Sequence, residues 1–138
     1  MANIRIKGLG GFNEIGASSM QIEVLGSKTL LLDSGIRMIN SRGPDGTISY
    51  SQPHDPPNKA VDAVLVTHGH ADHVGNLPNT LNKFNSAKVI MTRPTFLIAC
   101  QMWLNTLHLI KSHYINVDRQ YEADFAAGTK VALENQNN

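Results

Sequence analysis

A single cysteine in 138 residues, Cys100, excludes an internal disulfide framework. No apolar run approaches the roughly 20 residues of a membrane span. The opening residues, Met1-Ala2-Asn3-Ile4-Arg5, carry no secretory apolar segment. The expected setting is therefore cytoplasmic, without membrane contact. An excess of charge of one sign is also missing. Lys and Arg number 12 against 11 for Asp and Glu, leaving a net charge of +1. A global electrostatic footprint for nucleic acid is thus absent, and any basic binding surface has to be local. There is no internal repeat and no second block of distinct composition. The hydrophobic fraction of 41% and charged fraction of 17% suit one compact domain. A chain of this length buries roughly two-thirds of its unfolded surface.

What is present concentrates between Val61 and Leu77, V-D-A-V-L-V-T-H-G-H-A-D-H-V-G-N-L. Ala63 to Val66 reads as a short buried strand, being valine-rich and too brief for a helix. It ends at Thr67, and His68, His70, Asp72 and His73 follow at once. On extended backbone, side chains two apart point the same way, so His68 and His70 are expected to converge on one point. Gly69 between them is expected to let the backbone pass close to what they hold. Asp72 and His73 fall at the turn into a helix and point elsewhere, which suits a second, adjacent point. Imidazole and carboxylate together fit zinc and other divalent transition metals. The bland alternative is a polar loop whose histidines cap a helix or face solvent. H-x-H-x-D-H directly after a buried strand favours metal.

The stretch T-H-G-H-A-D-H-V-G-N-L-P resembles the signature of the metallo-β-lactamase fold. Leu9-Gly10-Gly11-Phe12-Asn13-Glu14-Ile15-Gly16, Leu31-Leu32-Asp33-Ser34-Gly35 and Met91-Thr92-Arg93-Pro94-Thr95 resemble the start of its β-CASP branch, which includes ribonuclease J and the pre-mRNA cleavage nuclease. The resemblance implies an α/β (α+β) fold: the N-terminal half of an α/β/β/α sandwich, one mixed sheet with outer helices. It spans about Leu9 to Val131. The expected organisation is a partial domain over 1–133 and a polar tail over 134–138. The implied metal ligands are His68, His70, Asp72 and His73, holding zinc, with manganese as the alternative. A complete site of this kind has two ions roughly 3.5–4 Å apart. Asp72 is the implied catalytic residue. Asp33 is implied to support a ligand histidine, fixing its tautomer and ring orientation. The alternative for Asp33 is a turn residue bonding its own backbone.

Taken in order, Ile4-Arg5-Ile6 alternates like a strand, and Gly8-Leu9-Gly10-Gly11 reads as a turn. A phosphate-loop reading of these glycines fails. Gly11 and Gly16 have the right separation, but Ala17 and Ser18 stand where Lys and Ser/Thr are required. Met20 to Val24 and Lys28 to Leu32 form a hairpin about Gly26-Ser27. Ile36 to Lys59 is expected to be a long irregular insertion, broken by Gly43-Pro44-Asp45-Gly46 and Pro53-His54-Asp55-Pro56-Pro57. His54 and Asp55 are more simply a solvated pair than part of the site. Val74 to Phe84 reads as a short helix and Lys88 to Met91 as a strand. From Thr92 a long helix carries Phe96, Cys100, Trp103, Leu107 and Ile110 on one face. Cys100 lies on that stripe and reads as core rather than nucleophile. His108 and His113 are left out of the site. Val117 to Phe125 is polar, and Thr129 to Leu133 is expected to be one more strand.

The resembled enzymes continue further, with another histidine in a Gly-His-x-x-Gly-type segment, a bridging aspartate, a last histidine, and a β-CASP domain forming the nucleic-acid cleft. No histidine follows Thr129 here. Two ligands per ion make a weak site, since stable zinc sites want three or four. A second chain or a C-terminal half is therefore an expected partner, as is a second copy, because the inner sheet face would be apolar and uncovered. Two functions stand at this stage. One is metal-dependent hydrolysis, of RNA or DNA phosphodiesters by resemblance, or of another ester-type substrate, since the fold does not set the substrate. The other is a non-catalytic metal-binding or interaction module.

Overall fold

The computed structural model describes residues 3–42, 47–56, 60–112, 115 and 119–134. Among these residues lie seven strands and four helices: β1 Ile4–Gly10, β2 Ser19–Val24, β3 Lys28–Leu32, β4 Arg37–Arg42, β5 Ile48–Ser51, β6 Ala63–Leu65, α1 Ala71–Val74, α2 Leu77–Lys83, β7 Lys88–Ile90, α3 Arg93–Lys111 and α4 Arg119–Glu134. Five strands form one mixed sheet in the order β1-β2-β3-β6-β7. β1, β2 and β3 run antiparallel, while β3-β6 and β6-β7 are parallel pairs. The turn between β2 and β3 takes Gly26 at φ 75°, as its left-handed position requires. Asp62 ties the first parallel pair: its carboxylate takes Lys28 Nζ at 2.5 Å and the Thr29 N–H at 2.9 Å. The Lys28 ammonium, helped by that N–H, holds the Asp62 carboxyl below its ordinary value. Any stability from this pairing is present above the unfolded carboxyl pKa and fades as pH falls through the lower folded one.

The register separates two faces. Gln21, Leu31, Val64 and Val89 lie opposite one another across four strands, so their side chains share a face. Leu31 and Val64 belong to the main core with Leu77, Leu81, Trp103 and Phe125 of the helices. The opposite face carries Ile6, Ile22, Leu30 and Ala63 in one row and Met20, Leu32, Leu65 and Ile90 in the next. This face is the more apolar, yet it is the one left open. Ile4 and Ile6 are 62% exposed and Ile90 55%. Met20, Ile22, Leu30, Leu32 and Leu65 are half-buried, whereas polar Gln21 on the covered face is 2% exposed. The half-sandwich expectation, an uncovered apolar sheet face, describes this arrangement.

Four expectations differ from the structure. β1 runs on through Gly10, so the glycine turn begins later. The stretch 36–59 is not wholly irregular, since β4 and β5 pair antiparallel as a second, two-stranded sheet. Residues 43–46 and 57–59 lie outside the described residues. The helix over 74–84 is two helices, parted at Gly75-Asn76, with Pro78 inside the first turn of α2 where its missing N–H costs nothing. Thr129 to Leu133 is helix, not strand. Tyr121, Phe125, Thr129 and Ala132 recur at helical spacing, and the last three are buried. Gly128 allows the packing, since a Cβ there would come within 1.6 Å of the Pro78 carbonyl on α2. Of the tail, Glu134 ends α4 and 135–138 lie outside the described residues, as does His113. No helix among the described residues is long and apolar enough to cross a membrane.

Candidate metal centre

The histidine motif leaves the C-terminal edge of β6 and enters α1, a helix of only four residues. So short a helix cannot satisfy its own carbonyls, so neighbours must. The Ile36 N–H bonds the Ala71 carbonyl at 3.0 Å, Ser18 bonds Asp72 at 2.9 Å, and Ser34 bonds His73 at 2.8 Å. Trp103, fully buried on α3, donates Nε1–H to the Val74 carbonyl at 3.0 Å. Three separate segments, at Ser18, at 34–36 and at Trp103, thus grip the one turn that presents Asp72 and His73. Gly35 is needed for this grip, because a Cβ there would fall 1.8 Å from the Asp72 carbonyl oxygen. Beneath lies a polar seam: Ser34 Oγ to Thr80 Oγ1 at 2.7 Å, and Asn79 Nδ2 to Asn76 Oδ1 at 2.9 Å. It fastens the Asp33-Ser34 loop to α2.

Asp33 closes β3 in the left-handed region, φ 60°, a conformation Asp tolerates better than most residues. It is 4% exposed. Its carboxylate receives the Thr67 N–H at 2.8 Å on Oδ1, and Thr67 Oγ1 and His73 Nδ1, each at 2.8 Å, on Oδ2. A carboxylate accepts, so His73 Nδ1 donates, and in the neutral ring the lone pair is on Nε2. The turn-residue alternative for Asp33 does not describe these contacts, which reach 34 and 40 residues along the chain.

His68, Asp72 and His73, all partly exposed, each offer one ligand atom, and the three atoms lie within 4.8 Å of one another. The His68 and His73 rings are 4.0 Å apart, centroid to centroid. His73 Nε2 is 3.6 Å from Asp72 Oδ2. Two neutral-capable imidazoles and one carboxylate, open to solvent on one side, are a donor set that fits a divalent transition metal. The grouping differs from the expected pairing. His70 stands outside this trio, its ring 4.6 Å from that of His68 and steeply inclined at 73°. The chain bends at Gly69 and His70 is already the cap of α1, so the two-apart rule for extended backbone does not apply. Gly69 is buried against α3 rather than opened toward the ligands: a Cβ there would meet Ile98 at 2.9 Å.

The other candidates fall elsewhere. Asp55 pairs with Lys83 at 2.7 Å, and His54 bonds the Leu9 carbonyl through its backbone. Cys100 packs against the core, and burial pushes its thiol up, the wrong direction for a nucleophile. His108 is exposed on α3. A cavity of about 570 Å³ between the helices and β7 is lined by Leu77, Leu81, Phe96 and Trp103 and includes none of the motif histidines. Thr67 is the contact that the sequence did not single out. It reads there only as the end of a strand, though a hydroxyl directly before a ligand histidine is a signal in itself.

Known proteins are similar to this chain in sequence. The family model described as the metallo-β-lactamase superfamily matches residues 14–97, more than half of the chain, and includes Asp33 and the whole histidine motif. The transcription termination factor FttA of Methanothermobacter thermautotrophicus is 30% identical over 95% of this chain. The RNase J-like protein of Methanocaldococcus jannaschii is 36% identical over 80%, and the endoribonuclease YSH1 of Candida glabrata 38% over 66%. The chain spans only 23%, 23% and 11% of those proteins. These names match the ribonuclease J-like resemblance, and divalent metal ions go with the family. With its mixed sheet, its helices and the histidine cluster that follows β6, the chain belongs to the metallo-β-lactamase superfamily.

Proposed function

We propose that this chain carries part of the metal centre of a hydrolase acting on nucleic-acid phosphodiesters, RNA foremost, in a cytoplasmic setting. The observation that carries it is the trio His68, Asp72 and His73, within 4.8 Å, on a chain similar to proteins named for ribonuclease activity. His68, His70, Asp72 and His73 are the residues to hold zinc or manganese, two ions in a complete site. Such ions supply Lewis acidity toward the phosphate and lower the pKa of water. Asp33 holds His73 with Nε2 presented, and Asp72 orients the attacking group from the exposed side of α1. The test is a nuclease assay with and without a C-terminal half supplied as a fusion from the Methanocaldococcus relative. Metal-dependent cleavage that appears with the half and is lost in Asp72→Ala is expected. A fusion that takes up metal and hydrolyses a lactone or thioester but no nucleic acid overturns the substrate. One that takes up metal and hydrolyses nothing favours the non-catalytic module.

The open sheet face supports a partner. Its two apolar rows need a cover, whether a second copy, another chain or further sequence of the protein. The isolated chain is expected to self-associate, and sedimentation should show dimers or larger species. A monodisperse monomer that binds no apolar dye would contradict this.

A further inference from the structure

We infer that Thr67 is a positioning residue whose hydroxyl passes the charge of Asp33 on to His68, holding that imidazole in the tautomer that leaves Nε2 free for metal. The inference rests on the metal-centre reading above and extends it to a residue outside the ligand set.

It follows from counting protons. Thr67 Oγ1 lies 2.8 Å from Asp33 Oδ2 and 3.0 Å from His68 Nδ1. The hydroxyl has one proton to give and three neighbours within reach, the third being His73 Nδ1 at 3.4 Å, whose own hydrogen already goes to Asp33. The carboxylate oxygen is the nearest and the charged one, and charge-assisted bonds are roughly twice as strong as neutral ones. The proton therefore goes to Asp33. Having donated it, Oγ1 can only accept along its second contact, and Nδ1 of His68 must carry the hydrogen. His68 Nε2 is left with the lone pair. His73 reaches the same state directly, through its own 2.8 Å bond to Asp33 Oδ2. One buried carboxylate thus sets both rings, one by contact and one through the Thr67 hydroxyl. The Thr67 N–H on Asp33 Oδ1 fixes the carboxylate's rotation, so the hydroxyl and His73 both meet Oδ2. Thr67 is itself exposed, so it fills no core position and its hydroxyl is not retained to satisfy a buried cavity.

The test compares Thr67→Val, which keeps the shape and removes the hydroxyl, with Thr67→Ser, which restores it. Long-range proton–nitrogen NMR of metal-free protein at about pH 8, above the ordinary imidazole pKa of about 6.5, reads the tautomers directly. His68 should be protonated on Nδ1 in the wild type and in Thr67→Ser, and shift toward the Nε2–H form in Thr67→Val. His73 should stay unchanged in all three. Zinc affinity, measured by competition with a chromophoric chelator, should fall about 10–100-fold in Thr67→Val and return to within about threefold of wild type in Thr67→Ser. Thermal unfolding checks that both variants fold. The inference is overturned if His68 Nδ1 is bare in the wild type, if Thr67→Val leaves tautomer and affinity unchanged, or if a folded Thr67→Ser behaves like Thr67→Val. If wild type takes up no zinc, the metal reading fails, while the NMR comparison still decides the relay.

Discussion

Replacing His68 and His73 together by alanine should abolish zinc uptake by this chain, with affinity falling by more than the about 10–100-fold that loss of an outer-shell partner costs. Both imidazoles are removed from the trio, leaving Asp72 alone among its three atoms. A single exposed carboxylate does not hold zinc against water, since stable sites use three or four protein ligands. The His70→Ala variant sharpens the test. His70 stands outside the trio, so its removal should cost less than the removal of either His68 or His73. Titration of zinc into tag-free wild type, the double variant and His70→Ala checks both points. Equal uptake by wild type and the double variant would refute the centre. Equal losses from His68→Ala and His70→Ala would show two paired half-sites instead of one site of three ligands.

How much of this was legible in the sequence depended on the range of the interactions involved. The histidine and aspartate cluster was legible because its members fall within six residues and follow a valine-rich strand. Which of them group was not, because the bend at Gly69 replaces the extended backbone on which the two-apart rule depends. The α3 stripe was legible from Phe96 to Ile110, since helical periodicity over about four turns averages out local noise. α4 was misread because Thr129 and Val131 are β-branched and Gly128 interrupts the pattern. Its helical state is decided by packing of Phe125, Gly128 and Ala132 against α2 and the core, a contact between distant parts of the chain. The β4–β5 hairpin was hidden by the glycines and prolines around it. The tie from Asp33 to His73 spans 40 residues, so only the family resemblance pointed to it.

Purified alone, this 138-residue chain should cleave RNA or DNA at a rate at least about 100-fold below that of a completed centre, since a misplacement of about 1 Å near the chemistry already costs that much. Catalysis of this kind holds ions, water and phosphate in one geometry. The chain offers one trio of ligand atoms among its described residues, plus His70 beside it, which is short of the six to eight that two ions require at three or four each. Asp33 and Thr67 orient those ligands but do not add to them. Steering is weak as well: a net charge of +1 gives little long-range attraction to a polyphosphate. The matched span is only 11% and 23% of the two relatives named as ribonucleases, so most of their residues lie outside it. Single-turnover cleavage of labelled RNA and DNA with zinc or manganese is the measurement, and His73→Ala is the control for contaminating nuclease. Rapid cleavage by the wild type, lost in His73→Ala, would show that the chain completes its own centre. The open sheet face would then be the first place to look for the second copy that supplies the remaining ligands.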